Sequence, residues 1–144
     1  MGTADEFCHD WPQQYTRYRA YRVLRLWESP EAVKLAARAY VCEGSNYGEA
    51  LSYLVGVMDG PLLSSAVLEV LEPCPADRRP NLIGLLRTNS PGVEPALLAA
   101  LDSTDPAVRA AALTSYAIAR GAHSITACRR MLDDADSDVR AAAC

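Results

Sequence analysis

Three stretches of this chain gather side chains that could do chemistry. Cys8, His9 and Asp10 place a thiol, an imidazole and a carboxylate side by side, with Trp11 following. These are the types a thiol nucleophile and its base would use, but in cysteine enzymes they meet in space from separated positions. Adjacent side chains of an extended segment point apart, so no catalytic residue is assigned here. Zinc fares no better, because the chain has only two histidines and lacks short paired ligand spacings. Asp134, Asp136 and Asp138 open like a calcium loop, yet Val139 stands where such a loop needs Gly and the chain stops before the closing Glu. Capping of the following helix explains these carboxylates more simply, through the positive end of its dipole. The expectation is a non-enzyme with no cofactor and no metal.

The remaining stretch suits recognition rather than catalysis. On a helix, Tyr15, Tyr18, Arg22 and Arg25 fall opposite the apolar face of Val23, Leu24 and Trp27. Tyr and Arg are enriched at interface hot spots and also stack on nucleic-acid bases. The simpler alternative is that Phe7 and Trp11 fold back over this stripe as an N-terminal cap.

All these residues need elements to hold them, and the apolar pattern says which. In the 144 residues half are apolar, 22% are charged and only one is Phe. Ala and Leu dominate the apolar set, which favours closely packed helices over a sheet sandwich. Apolar residues recur at helical spacing throughout: Val33, Ala36, Ala37 and Tyr40; Leu51, Leu54, Val55 and Met58; Leu63, Ala66, Val67 and Val70; Leu82, Leu85 and Leu86; Val93, Leu97 and Leu101; Val108, Ala111 and Ala112; Ile125, Cys128 and Leu132. Strand alternation is absent. Helix-start signals at Pro12, Ser29-Pro30, Asn46, Pro61, Asp77, Val93, Asp105-Pro106, Ser124 and Asp136-Ser137 fall about fifteen residues apart. Helices this short are marginal alone, so stacking must hold them. Residues 101–112 return at 132–143 with the same Leu, Asp, Asp, Val, Arg and three Ala. Such an internal repeat marks stacked supersecondary units.

Residues 102–120 and their echo at 133–143 resemble the HEAT repeat, most closely the short bacterial units found in phycobilin lyases. The shared features are a Leu-Asp closing one helix, an Asp-Pro or Asp-Ser turn, and Val-Arg-x-Ala-Ala opening the next. The resemblance implies an all-α, right-handed α-solenoid of about four and a half HEAT-like helix pairs over residues 12–144, behind a tail at 1–11. It is clear over 93–144; upstream, spacing alone supports it. It also implies that Asp and Arg bond along the stack, here through Asp102, Arg109, Asp133 and Arg140. HEAT-fold hydroxylases bind metal through His-Glu pairs, and neither His9 nor His123 precedes Glu.

Repeat solenoids are mostly platforms, with function carried by sites placed on them. The expectation is a non-catalytic scaffold or adaptor for a protein partner. The alternatives are an accessory subunit of a tetrapyrrole-lyase-like enzyme, or a small inhibitor of the immunity-protein type. Solenoids usually bind on the concave surface lined by the second helix of each pair. There the repeat offset sets Arg38, Leu68, Leu98 and Arg129 in equivalent places, with Lys34 and Arg130 beside them. A Leu ridge with a basic rim is the expected docking surface. A net charge of −4 argues against a general nucleic-acid binder, and no apolar run is long enough to span a bilayer. Residues 1–11 lack the apolar core of a secretory signal, which points to the cytoplasm. In that compartment the five cysteines (Cys8, Cys42, Cys74, Cys128 and Cys144) are expected as thiols, most of them buried, with Cys74 and Cys144 the more exposed.

Overall fold

The computed structural model describes residues 8–9, 29–42, 47–57 and 60–144. Among them there is no strand. The helices are α1 (Pro30–Cys42), α2 (Tyr47–Gly56), α3 (Pro61–Leu71), α4 (Arg79–Ile83), α5 (Val93–Leu101), α6 (Pro106–Arg120), α7 (Ile125–Met131) and α8 (Ser137–Ala142), with a 3-10 turn at Gly121–Ser124 before α7. Contacts join α1 to α3 and α3 to α5 in one row, and α4 to α6 and α6 to α8 in the other. Cross-row contacts of α1 with α2, α3 with α4 and α5 with α6 close the two layers on each other.

The capping residues start the helices as their types require. Asp105 accepts from the Ala107 amide at 2.9 Å with Pro106 in the first turn, where no helical bond is lost. Asp136 accepts from the Asp138 and Val139 amides, and the Ser29 hydroxyl accepts from the Ala32 amide at 3.1 Å. Gly121, at φ 52°, ends α6 with a positive φ that costs other residues more. The Pro12 and Asn46 helix starts lie outside the described residues.

The buried face of each helix repeats with the chain. Leu63, Val67 and Val70 on α3 are matched 30 residues on by Val93, Leu97 and Ala100 on α5, of which Ala100 is only half-buried. Leu82, Ile83, Leu85 and Leu86 are buried, as are Ala112, Leu113, Ser115 and Tyr116 at the same offset on α6. Two departures from the expected faces occur, and one has a local cause. Ile125 and Leu132 are exposed and Met131 turns inward instead, because the tighter 3-10 turn before α7 shifts its phase. Val55 faces solvent.

Only five residues of the segment from Arg79 are α-helical; beyond them Leu85 and Leu86 donate to the Leu82 and Ile83 carbonyls in i→i+3 turns. The Ser115 hydroxyl donates to the Ile83 carbonyl at 2.9 Å, filling the second acceptor position of a carbonyl that already takes the Leu86 amide. Farther up the stack, Arg78 donates to the Tyr40 and Val41 carbonyls at the end of α1. The Tyr40 hydroxyl donates to the Arg78 carbonyl at 3.1 Å and accepts from Asn81 at 3.0 Å.

The cysteines differ from expectation. Cys8 and Cys42 form a disulfide, with Cα atoms 5.3 Å apart, where two thiols were expected. Disulfides persist chiefly in oxidising compartments, so this bond does not accord with the expected cytoplasmic setting. Cys74 is 2% exposed rather than open, because the turn folds its side chain beneath Arg78 and Arg79 into the core. Burial pushes its thiol up to about 11, more than Arg79 and Arg78 pull it down, with Asp77 adding to the rise. Cys144 is exposed, as expected.

Candidate partner-binding groove

Successive repeats are tied at their turns by arginines. Arg109 donates from Nη1 to the Ser103 and Thr104 carbonyls, bracing its own turn. At the 31-residue offset, Arg140 does the same with the Asp134 and Ala135 carbonyls. Thirty residues upstream of Arg109, Arg79 donates from Nη2 to the Cys74 carbonyl at 2.8 Å and to that of Glu72 at 3.4 Å. Arg79 is therefore the repeat arginine of that unit, although the residue before it is Arg78 instead of the Val that marks the motif in the later units.

The free edge of Arg109 then reaches the next repeat. Nε and Nη2 form a two-pronged bond to Asp134, at 2.9 and 2.8 Å. This is the geometry in which a guanidinium binds a carboxylate most strongly. The hydrogen bond from Arg109 holds the Asp134 carboxyl below its usual range, helped by the Asp136 amide, while Asp134 raises Arg109 in turn. The expected tie through Asp133 is thus corrected to Asp134, one residue later, because the Asp136 amide holds that side chain toward Arg109. Asp102 also finds a different partner, Arg130 on α7, at 3.1 Å.

The rows of second helices are tied unevenly. Lys34 on α1 meets Glu69 on α3 at 3.6 Å, and Arg130 meets Asp102 between α7 and α5. Between α3 and α5 no ion pair occurs among the described residues. There Ala99 stands at the repeat position of Arg130, and Ser103 at that of Asp134. An open groove of about 470 Å³ results, with Leu68, Leu71, Ala96, Ala99 and Ala100 on its apolar walls and Glu72, Arg79 and Ser103 at one end. A second hollow of about 300 Å³ lies between α5 and α7, lined by Leu98, Tyr116, His123, Ala127, Arg130 and Asp102 among others.

The expected docking residues distribute over these features. Leu68 is half-buried and lines the α3–α5 groove. Its Cδ1 would lie 3.2 Å from any β-carbon at Gly92, which has φ 84°. Leu98 is 43% exposed and lines the other hollow. The two leucines therefore serve equivalent hollows instead of one continuous ridge, because each lies on its own helix one repeat apart. Lys34 and Arg130 are engaged in the ion pairs just described, Arg38 is half-buried on α1, and Arg129 is exposed. Tyr15, Tyr18, Arg22 and Arg25 lie outside the described residues. Sequence reasoning missed Arg79 and Ser103. Their signal was present in the 30- and 31-residue offsets from Arg109 and Asp134, but the Val that marks the motif is replaced by Arg78.

Two rows of short helices joined by repeating turn arginines define a stacked helical-repeat protein. A family model for HEAT repeats matches residues 64–144, more than half of the chain, and begins well before the 93–144 region where the motif is clear by eye. The chain belongs to the HEAT-repeat family. No curated protein and no solved structure matches it significantly.

Proposed function

We propose that this chain is a non-catalytic protein-binding module, in which the groove between α3 and α5 receives a segment of a partner protein. The observation that carries this reading is the gap in the inter-helix ties. An ion pair spans the junction on either side, whereas this one has none among the described residues and exposes apolar walls with charged groups at one end. Apolar surface framed by polar groups is how many peptide-binding grooves achieve both affinity and register. The groove is also open to solvent, unlike the pockets that enclose most of a small-molecule substrate. That favours the adaptor over the reading as a subunit of a tetrapyrrole-lyase-like enzyme, and HEAT repeats are commonly interaction scaffolds. Among the described residues no helix is long and apolar enough to cross a membrane.

Affinity capture from native lysate, with wild type and Ala99→Trp compared, tests the reading. Ala99 is exposed and lines the groove, so Trp there fills the hollow without entering the core. A protein retained by wild type and lost by Ala99→Trp is the expected result. Retention of the same proteins by both, or of none by either, contradicts it.

A further inference from the structure

Glu72 and Asp102 cap the C-terminal ends of α3 and α5, at the same place in consecutive repeats. Asp102 receives its cation from the next helix of the row, where Arg130 Nη2 lies 3.1 Å from the carboxylate. Glu72 receives none. The position of Arg130 is taken by Ala99, and among the described residues the Glu72 carboxylate has no ion pair. Arg79 lies at the same end of the groove but is turned to the backbone: Nη2 donates to the Cys74 and Glu72 carbonyls, and Nε is buried. The last turn of α3 carries no basic residue either, so the negative end of its dipole is unmet from within the helix. Glu72 and Ala99 are both exposed, which leaves them open to a partner. The space that Arg130 fills in the next repeat is here part of the open groove beside Leu68, Leu71 and Ala96.

We propose that the α3–α5 groove takes one arginine of the docking protein segment, which lies over Ala99 and pairs with the Glu72 carboxylate as Arg130 pairs with Asp102. The proposal rests on the protein-binding reading above and adds what the groove selects. Charge favours it at two scales: locally through the unpaired acid at the C-terminal end of α3, and overall through a net charge of −4, which draws basic partners. Arginine suits the place better than lysine. At the neighbouring junctions the Arg130 guanidinium comes within 3.1 Å of its acid, and the Lys34 ammonium only within 3.6 Å of Glu69. A guanidinium is also the more weakly hydrated of the two. Its methylene stem can rest on Ala96 and Ala99 while the head reaches Glu72. The neighbours of that arginine should be aliphatic, because Leu68 and Leu71 form the adjoining wall. A run of basic residues is disfavoured, since Arg79 keeps its own charge at that end. The recognised segment is therefore a single arginine flanked by aliphatic side chains.

The test follows the Leu68 and Ala96 methyl resonances by NMR. A blocked peptide of sequence Leu-Arg-Ala-Leu, the same peptide with uncharged citrulline for arginine, and acetylated argininamide alone are titrated into wild type, Glu72→Gln and Ala99→Arg. In wild type the arginine peptide should shift both methyls and bind at least about threefold more tightly than the citrulline peptide, the scale of an exposed ion pair, with argininamide far weaker. Glu72→Gln should bind the two peptides equally. Ala99→Arg should abolish the response, because the variant supplies its own guanidinium to Glu72. Equal binding of the two peptides by wild type overturns the arginine site while leaving a protein-binding groove in place. An arginine preference that survives in Glu72→Gln overturns Glu72 as its partner and the proposal with it. Argininamide acting as strongly as the arginine peptide overturns the protein segment as occupant. No response to either peptide, or a full response in Ala99→Arg, overturns the proposal outright. Loss of the protein-binding reading shows separately, as failure of the Ala99→Trp capture comparison.

Discussion

Leu97 and Leu98 are neighbours on α5 with opposite surroundings, and truncating each in turn tests the helix phase on which the stack depends. Leu97 is fully buried and Leu98 is 43% exposed. Leu97→Ala removes three carbon groups from the interior at about 0.8 kcal/mol each, or about 2.4 kcal/mol of transfer free energy. The cavity left behind brings the cost to about 3 kcal/mol, since a helix held on both sides cannot collapse into it. Leu98→Ala removes the same atoms from a half-wet site and leaves no closed void, so its cost should be about 1 kcal/mol or less. Urea unfolding followed by far-UV circular dichroism measures both. With a slope of about 1.5 kcal/mol per molar, Leu97→Ala should lower the midpoint by about 2 M and Leu98→Ala by well under 1 M. Equal shifts for the two variants, or a larger one for Leu98→Ala, would refute the packing described for α5.

Three further outcomes follow from individual contacts. Tyr40→Phe leaves the Arg78 carbonyl and the Asn81 amide without their shared hydroxyl and should cost about 1 kcal/mol in the same urea assay, with little change in slope. Asp134 has its carboxyl lowered chiefly by the hydrogen bond from Arg109. Its stabilising effect is therefore complete above the ordinary carboxylate range and is lost as pH falls through the lowered folded-state value. Accordingly the midpoint difference between wild type and Asp134→Asn should be largest near neutrality and shrink in acid; a constant difference from pH 7 down to about pH 2 would contradict the pairing. Finally, a thiol reagent applied to the native, non-reduced protein near pH 8 should label Cys144 quickly and leave Cys74 unlabelled until the chain unfolds, because burial holds the Cys74 thiol at about 11. Mass spectrometry of the same sample should find Cys8 and Cys42 unlabelled even after unfolding, until a reductant is added.

The helical periodicity and the caps were legible in the sequence because they are local. Asp105-Pro106 and Asp136-Ser137 need only their own turns, and the buried faces of α3, α5 and α6 follow from spacing along one helix. The Arg109 tie was legible as a residue type but not as a pair, since Asp133 and Asp134 are both acids and only the folded turn decides which points at the arginine. The phase of α7 was hidden because a 3-10 turn at Gly121–Ser124 carries no strong residue signature yet rotates everything after it. The groove was least visible of all. It arises from replacements, Ala99 for Arg130 and Ser103 for Asp134, that look neutral until the repeats are superposed and the missing ties are seen to fall at one junction. The Cys8–Cys42 bond is likewise a matter of distance in space, which wide sequence spacing did not reveal.

The central claim is that a turn arginine ties one repeat to the next by gripping an acid of the following turn, and a coupling measurement on Arg109 and Asp134 tests it most directly. Arg109→Gln and Asp134→Asn are made singly and together, and the urea midpoints of all four proteins are compared. The account predicts that the double variant loses clearly less than the sum of the two single losses. Simple additivity of the two losses would contradict it.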